Sequence, residues 1–260
     1  MTAGQERKLL PPHMLRLLTY NVLEGALPDR LPKVISVIRS ARADVVAIQE
    51  ARHWRRNRRE LFLNVSRALR MPGLLFRANS GFDLAVFSRL PICGHSNLGL
   101  RTTFVHTTAS VTLATPGGNE FTLFITHLRP DYPERQREVR MLLRWMRPYR
   151  NRCCALCGDL NSLAAGDYVA RRLVRRGSPI TTGSRGIIAP IERAGWVDCF
   201  RLRNPRAPGL TLGTHRRVAR VDYIFASRPL AERLVACRVL SHPDAGRASD
   251  HSPVWAEFEV

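Results

Sequence analysis

The sequence predicts an α/β protein with mixed sheets, on three observations. Short apolar runs rich in Val, Ile, Leu and Phe recur along the chain, amphipathic stretches separate some of them, and others follow one another across short turns. Runs bounded by turn residues read as strands. Strands joined by turns pair antiparallel, while strands separated by helices pair parallel, so both kinds of connection predict a mixed sheet system and not an all-parallel one.

LRLLTYNV (15–22) and VVAIQE (45–50) read as strands flanking a helical pattern at Leu31–Arg42. A very basic helical stretch, RRNRRELFLNVSRALR (55–70), stops at Met71-Pro72-Gly73. LLFRA, FDLAVFS, SVTLAT and FTLFITHL are strand candidates broken by SRLP and TPGGN. YPERQREVRMLLRWMRPY (132–149) reads as a helix and CCALCG (153–158) as a buried strand. Helical patterns in YVARRLVRR (168–176) and IIAPIERAG (187–195) precede the closing strands VDYIFAS, LVACRVL and VWAEFEV. With no fixed-period repeat or low-complexity linker, the reading is a polar tail over residues 1–12 and a single domain over 13–260.

The formal net charge is +20, and all but two of the 41 basic residues (Lys8 and Lys33) are arginine. Genomic base composition accounts for the Arg:Lys ratio but not for an acidic count of only 21. The surplus points to a polyanionic partner, nucleic acid or an anionic lipid surface, because guanidinium forks match phosphate oxygens and stay charged. No apolar stretch is long enough to cross a bilayer, and the N-terminal residues lack the apolar run of a secretory signal. A cytoplasmic protein with no membrane span and no obligate protein partner is expected. Six cysteines, three of them in CCALC, lack zinc-ligand spacing and read as reduced core thiols.

Several strand-like runs end on polar residues that are wasteful in a core: Asn21, Glu50, His127, Asp159 with Asn161, Asp222, and Asp250 with His251. Each alone has a plain reading as a turn, a loop or a hydrogen-bonded histidine. Together they fit one site, since active sites of layered α/β proteins gather where strand ends converge. If strand geometry persists past Gly158, Asp159 and Asn161 project to the same side. Clustered carboxylates repel unless a cation neutralises them, and hard oxygen ligands suit Mg²⁺ or Mn²⁺ better than Zn²⁺.

TYN, QE, THL, GDLN, VDYIF and SDH, in this order, resemble the motif series of the endonuclease/exonuclease/phosphatase superfamily, from about Leu15 to Val260. GFDLAVFSRLPI (81–92) and AGWVDCF are similar to supporting segments of that family. The resemblance implies a four-layer α/β sandwich: two mixed β-sheets packed face to face with helices on the outer faces. It implies Glu50 as principal metal ligand, Asp250 close to the metal and Asn21 supporting the same shell. Asp159 would orient or deprotonate water, and Asn161 would hold a phosphoryl oxygen. His251, held by Asp222, would act on the phosphate or the water. His127 would stabilise the phosphorane or protonate the leaving oxygen. Asp159 and His251 both remain candidates for the base.

Such a family spans nucleases, lipid phosphodiesterases and inositol-phosphate phosphatases, so the motifs do not name the substrate. THL places a histidine where abasic-site endonucleases carry a tyrosine in an NxYxPN-like segment, which counts against that subgroup. Basic runs at RRNRR (55–59), ERQREVR (134–140), ARRLVRR (170–176) and THRRVAR (214–220) favour a phosphate-tracking surface. Arg129 beside His127, and Arg216, Arg217 and Arg220 before Asp222, are the candidate substrate-binding residues. Trp196 in AGWVD is expected in the core. The expected function is metal-dependent phosphodiester hydrolysis on nucleic acid, endonucleolytic or exonucleolytic. The alternatives are a phospholipid or inositol-phosphate hydrolase and a non-catalytic nucleic-acid-binding protein.

Overall fold

The computed structural model describes residues 13–27, 29–171, 185–213 and 217–260. The expected tail over 1–12, Arg216 and most of the helix expected at 168–176 lie outside them.

Twelve strands form two six-stranded sheets among the described residues. The first contains β1 (Met14–Asn21), β2 (Val45–Gln49), β3 (Gly73–Phe76), β4 (Leu84–Ser88), β11 (Leu234–Val239) and β12 (Val254–Glu259), in the order β11-β12-β1-β2-β4-β3. The second contains β5 (Ile92–Asn97), β6 (Thr107–Ala114), β7 (Glu120–His127), β8 (Cys154–Asp159), β9 (Val197–Asp198) and β10 (Asp222–Ala226), in the order β5-β6-β7-β8-β10-β9. Both are mixed: β1 runs parallel to β2 and β7 to β8, while the other pairs are antiparallel. Each parallel pair is separated in sequence by a helix, α1 (Leu31–Ser40) in one case and α3 (Glu134–Met146) in the other, as parallel crossovers require.

Alternation places one face of each sheet in a shared inner layer. Leu15, Leu17, Val45, Ala47 and Val86 of the first sheet meet Val111, Leu123, Ile125, Cys157 and Ile224 of the second, all buried. Truncating one of the larger of these to alanine costs about 2–5 kcal/mol. The outer face of the first sheet packs against α1 and α2 (Glu60–Leu69) through Val34, Val37, Ile38, Phe62 and Val65. That of the second packs against α3 and α4 (Arg185–Arg193) through Val139, Leu142, Ile187 and Ile191. The expected four-layer sandwich is therefore the observed one. Trp196 is in the core at 3% exposure, and of the six free thiols only Cys93 is exposed, with Cys153 half-buried.

The basic stretch after Trp54 departs from expectation. RRNRR is not α-helical: Asn57–Arg59 form a short, distorted 3-10 turn at φ 47°, 52° and 67°, and α2 starts at Glu60. A helix through this run would stack guanidinium groups on successive turns, which is unfavourable. The loop splays them instead, and Glu60 falls in the first turn, where negative charge suits the helix dipole. The run at 134–140 also differs in part. Arg135 and Glu138 are fully buried on the face of α3 that carries Val139, Leu142 and Met146.

Candidate active site

Strand register assembles the site along one rim of the sandwich. In the second sheet His127, Asp159 and Asp222 are direct neighbours on β7, β8 and β10. In the first, Asn21 ends β1 beside Gln49, with Glu50 next. β12 begins opposite Thr19, so the preceding Asp250 and His251 reach the same rim. Gly158 is required here: its φ is +138°, and a Cβ would lie 1.9 Å from the Thr126 carbonyl oxygen of the neighbouring strand.

Hydrogen bonds join the two sheets at this rim. The Asn21 amide nitrogen donates to Glu50 Oε1 at 3.0 Å and to Asp159 Oδ2 at 3.1 Å. His251 Nδ1 lies 2.8 Å from Asp222 Oδ2. The Asn21 side chain is used up in this role, because its oxygen accepts from the Leu23 N–H at 3.0 Å. It is a strut between the carboxylates. Glu50 adopts a left-handed φ of 60°, an outlier of the kind that collects at functional positions. Its second oxygen accepts from the Glu24 N–H at 2.8 Å.

Asp159 and Asn161 do come together, though not by continued strand geometry. β8 ends at Asp159, Asn161 turns to φ 47°, and the Asn161 N–H donates to Asp159 Oδ1 at 2.8 Å. The Asn161 amide then donates to the Leu128 carbonyl at 2.9 Å and lies 3.4 Å from His127 Nε2. His127 Nε2 and His251 Nε2 flank Asp159 Oδ2 at 3.6 and 3.8 Å.

Burial and neighbours set the charges. Asp159 is pushed above the usual carboxylate range by burial and by Asp222, against the opposing pull of His251, Asn161 and Asn21. For His251 burial disfavours the cation, but Asp222, Asp159 and Asp250 outweigh it and push the imidazole up to about 10. His127 goes the other way: burial, then His106 and His251, hold it well below the ordinary value.

The residues fit a divalent cation. Asp159, Asp222 and His251 each present a ligand atom within 4.8 Å of the others. Asp222 Oδ1 and Asp250 Oδ1 are buried oxygens without a hydrogen-bond partner, and a buried carboxylate oxygen left so is costly unless something satisfies it. Apart from the His251 nitrogen, the donors are hard oxygens of the kind Mg²⁺ and Mn²⁺ take.

The arginines divide. Arg129 is partly exposed beside His127 with its guanidinium on Asp131 at 2.5 Å, and Arg217 is exposed. Arg220 is a correction to the sequence reading. It is 1% exposed and spans Asp167 and Asp198 at 3.1 and 2.6 Å, with Tyr223 beneath it, so it is a structural cation and not a phosphate contact. A guanidinium two residues from a strand-borne aspartate reads the same in sequence whether it faces the cleft or the core.

Sequence reasoning missed three residues near the site. His106 stacks on His127, Arg135 donates to the Asn161 carbonyl, and Glu138 accepts the N–H groups of Val105 and Arg129 at 2.8 and 2.9 Å. A signal for the last two existed: residues 135, 138, 139, 142 and 146 share the buried helical face. Nothing comparable marks His106.

The model of the Endonuclease/Exonuclease/phosphatase family matches residues 18–251. Among solved structures, an AP endonuclease from Archaeoglobus fulgidus aligns at TM-score 0.75 and 21% identity, over 95% of this chain and 100% of its own. The Neisseria 3′ phosphatase NExo, bound to a product DNA hairpin, aligns at 0.73 and 18%, over 95% and 100%. The Leishmania major AP endonuclease LMAP aligns at 0.74 and 17%, over 95% and 88%. Among the described residues no helix is long and apolar enough to cross a membrane. A family match that begins in β1 and ends on His251, so that it encloses the whole rim described above, shows that this chain belongs to the endonuclease/exonuclease/phosphatase family.

Proposed function

We propose that this protein is a divalent-metal-dependent phosphodiester hydrolase, a nuclease acting on DNA or RNA by in-line attack of an activated water. The observation that carries this reading is the junction of the two sheets, where Asn21 holds Glu50 against Asp159 and Asp222 holds His251. Residues 13–260 would form its single catalytic unit.

A phosphodiester repels hydroxide, so the site must neutralise charge and align the attack. Glu50 and Asp250 would hold the cation, with Asn21 fixing the Glu50 carboxylate. When bound, the cation supplies Lewis-acid stabilisation of charge on the phosphoryl oxygens.

The charge pattern favours Asp159 as the proton acceptor. Its raised pKa brings its basicity toward neutrality, where a general base works best. His251, carrying a proton at neutral pH, donates to a phosphoryl oxygen and offsets charge there. Neutral His127 and the Asn161 amide add donors without adding negative charge. A histidine in the place of the abasic-site tyrosine argues against that subgroup's substrate, whatever the likeness in fold.

Cleavage of end-labelled single- and double-stranded DNA and RNA with Mg²⁺, Mn²⁺ or EDTA, beside Asp159→Asn, tests the proposal. Metal-dependent products lost in the variant support it, and their lengths give endo or exo action. No cleavage of any strand by folded, metal-supplied protein overturns the nuclease reading, and turnover of phospholipid or inositol-phosphate substrates would then replace it.

A further inference from the structure

The loop that follows Glu50 builds a pocket that the catalytic reading does not use. It has a volume of about 380 Å³ and is lined by Arg52, His53, Arg55, Arg56, Ser80, Gly81 and Asp83. It adjoins the catalytic rim through two contacts. Arg52 pairs with Glu24, whose own N–H donates to Glu50. Arg52 also lies over the Phe82 ring, 5.1 Å from its centroid, and Phe82 meets His106 and His127 edge-on at 5.4 and 6.5 Å. Phe82 thus links Arg52 of the pocket to the imidazoles of the rim.

The charge in this pocket is prearranged. Buried Asp83 accepts from the Ala78 N–H at 2.8 Å and from Arg55 Nε at 2.6 Å, which fixes one guanidinium at the edge. Glu24 fixes a second, Arg52. Arg56 is exposed and has no carboxylate within ion-pair distance among the described residues. Burial and the field of Arg56 and Arg52 lower the His53 pKa, which registers the local positive potential. Two held guanidinium groups with donors to spare, and a third without a counter-ion, make a site for an anion that also needs orientation.

We propose that this pocket is a second phosphate subsite, which takes a backbone phosphate of the same nucleic-acid strand other than the one being cut, with Arg56 as its main contact. The inference rests on the nuclease reading and adds that the enzyme needs at least two phosphates on its substrate for full efficiency. Backbone phosphates position a strand without reading its sequence, so the subsite sets register and not base preference.

The test compares kcat/KM on an oligonucleotide with kcat/KM on a small chromogenic phosphodiester that has one phosphate, for wild type, Arg56→Ala and Arg150→Ala. Arg150 is exposed on the segment before β8, at the opposite end of that strand from Asp159, and controls for lost net charge. Arg56→Ala is expected to lower the oligonucleotide-to-diester ratio roughly tenfold, the scale of a hydrogen bond to a charged group. It should also reduce the slope of log affinity against log salt by about 1. Arg150→Ala should change neither. Equal loss in both variants, or loss in neither, overturns the subsite, as does a wild type that cleaves the diester but no oligonucleotide. If wild type cleaves nothing, the nuclease reading fails separately. Fluorescence anisotropy with a labelled oligonucleotide still decides the subsite, since binding by Arg56→Ala equal to wild type overturns it.

Discussion

The imidazole of His106 lies flat against that of His127, with ring centroids 4.1 Å apart and planes within 9°. The outer ring is held by Ser80 Oγ, 2.7 Å from His106 Nδ1. Two imidazoles this close and this buried cannot both carry charge. Burial, then Arg129, lowers His106 to about 4, while His127 is lowered by burial and by His106.

Acid should therefore destabilise the protein through this pair. A histidine whose folded pKa is depressed contributes stability that is present above its unfolded value of 6.5 and lost as pH falls through 4. The His106 share is on the order of 3 kcal/mol. Urea unfolding at pH 7, 5 and 4 should show a smaller acid loss in His106→Phe, which keeps a stacked ring, than in wild type. Equal losses would refute the assignment.

Asp159→Asn is expected to lower kcat by roughly 10²- to 10⁴-fold while leaving the fold intact. The stability effect has the opposite sign to that of an ordinary salt-bridged carboxylate. A carboxylate with a raised folded pKa contributes stability below its unfolded value of 3.8, and this is lost as pH rises through the folded value. At pH 8 the metal-free variant should melt higher than wild type. A lower melting point there would contradict the burial and repulsion described for Asp159.

Metal binding has a readout that needs no substrate. Mn²⁺ at about 100 times its Kd should stabilise wild type by about 2.7 kcal/mol, seen as a rise in Tm. Glu50→Gln and Asp250→Asn should each lose most of that rise. A full rise in both variants would move the cation away from Glu50 and Asp250, toward the Asp159, Asp222 and His251 cluster.

Arg220→Ala should destabilise by about 3–5 kcal/mol, because it removes the guanidinium that bridges the buried carboxylates of Asp167 and Asp198. Arg220→Met in an Asp167→Asn, Asp198→Asn background should recover much of the loss. Denaturant midpoints check both. A variant as stable as wild type but with raised KM on oligonucleotides would restore Arg220 to the substrate surface.

Strand and helix identity was legible locally. The runs ending at Asn21, Gln49, His127 and Asp159 are strands because short apolar stretches bounded by turn residues suit the buried interior of a sheet, and α1 and α3 follow from apolar periodicity. The candidate site residues were legible in the sequence as well, since carboxylates, amides and imidazoles recur at the ends of mostly apolar strands. Its limit lay in anything that depends on two distant segments meeting. Arg220 turned inward because Asp167 and Asp198 converge beneath it, and RRNRR left the helical pattern because its charges repel and the loop had room to splay. The pairing of Asn21 with Asp159 joins residues of different sheets whose separation in sequence is unrelated to their separation in space. Residue type records what a side chain can bond to, but only the packing of the two sheets decides which partner is within reach.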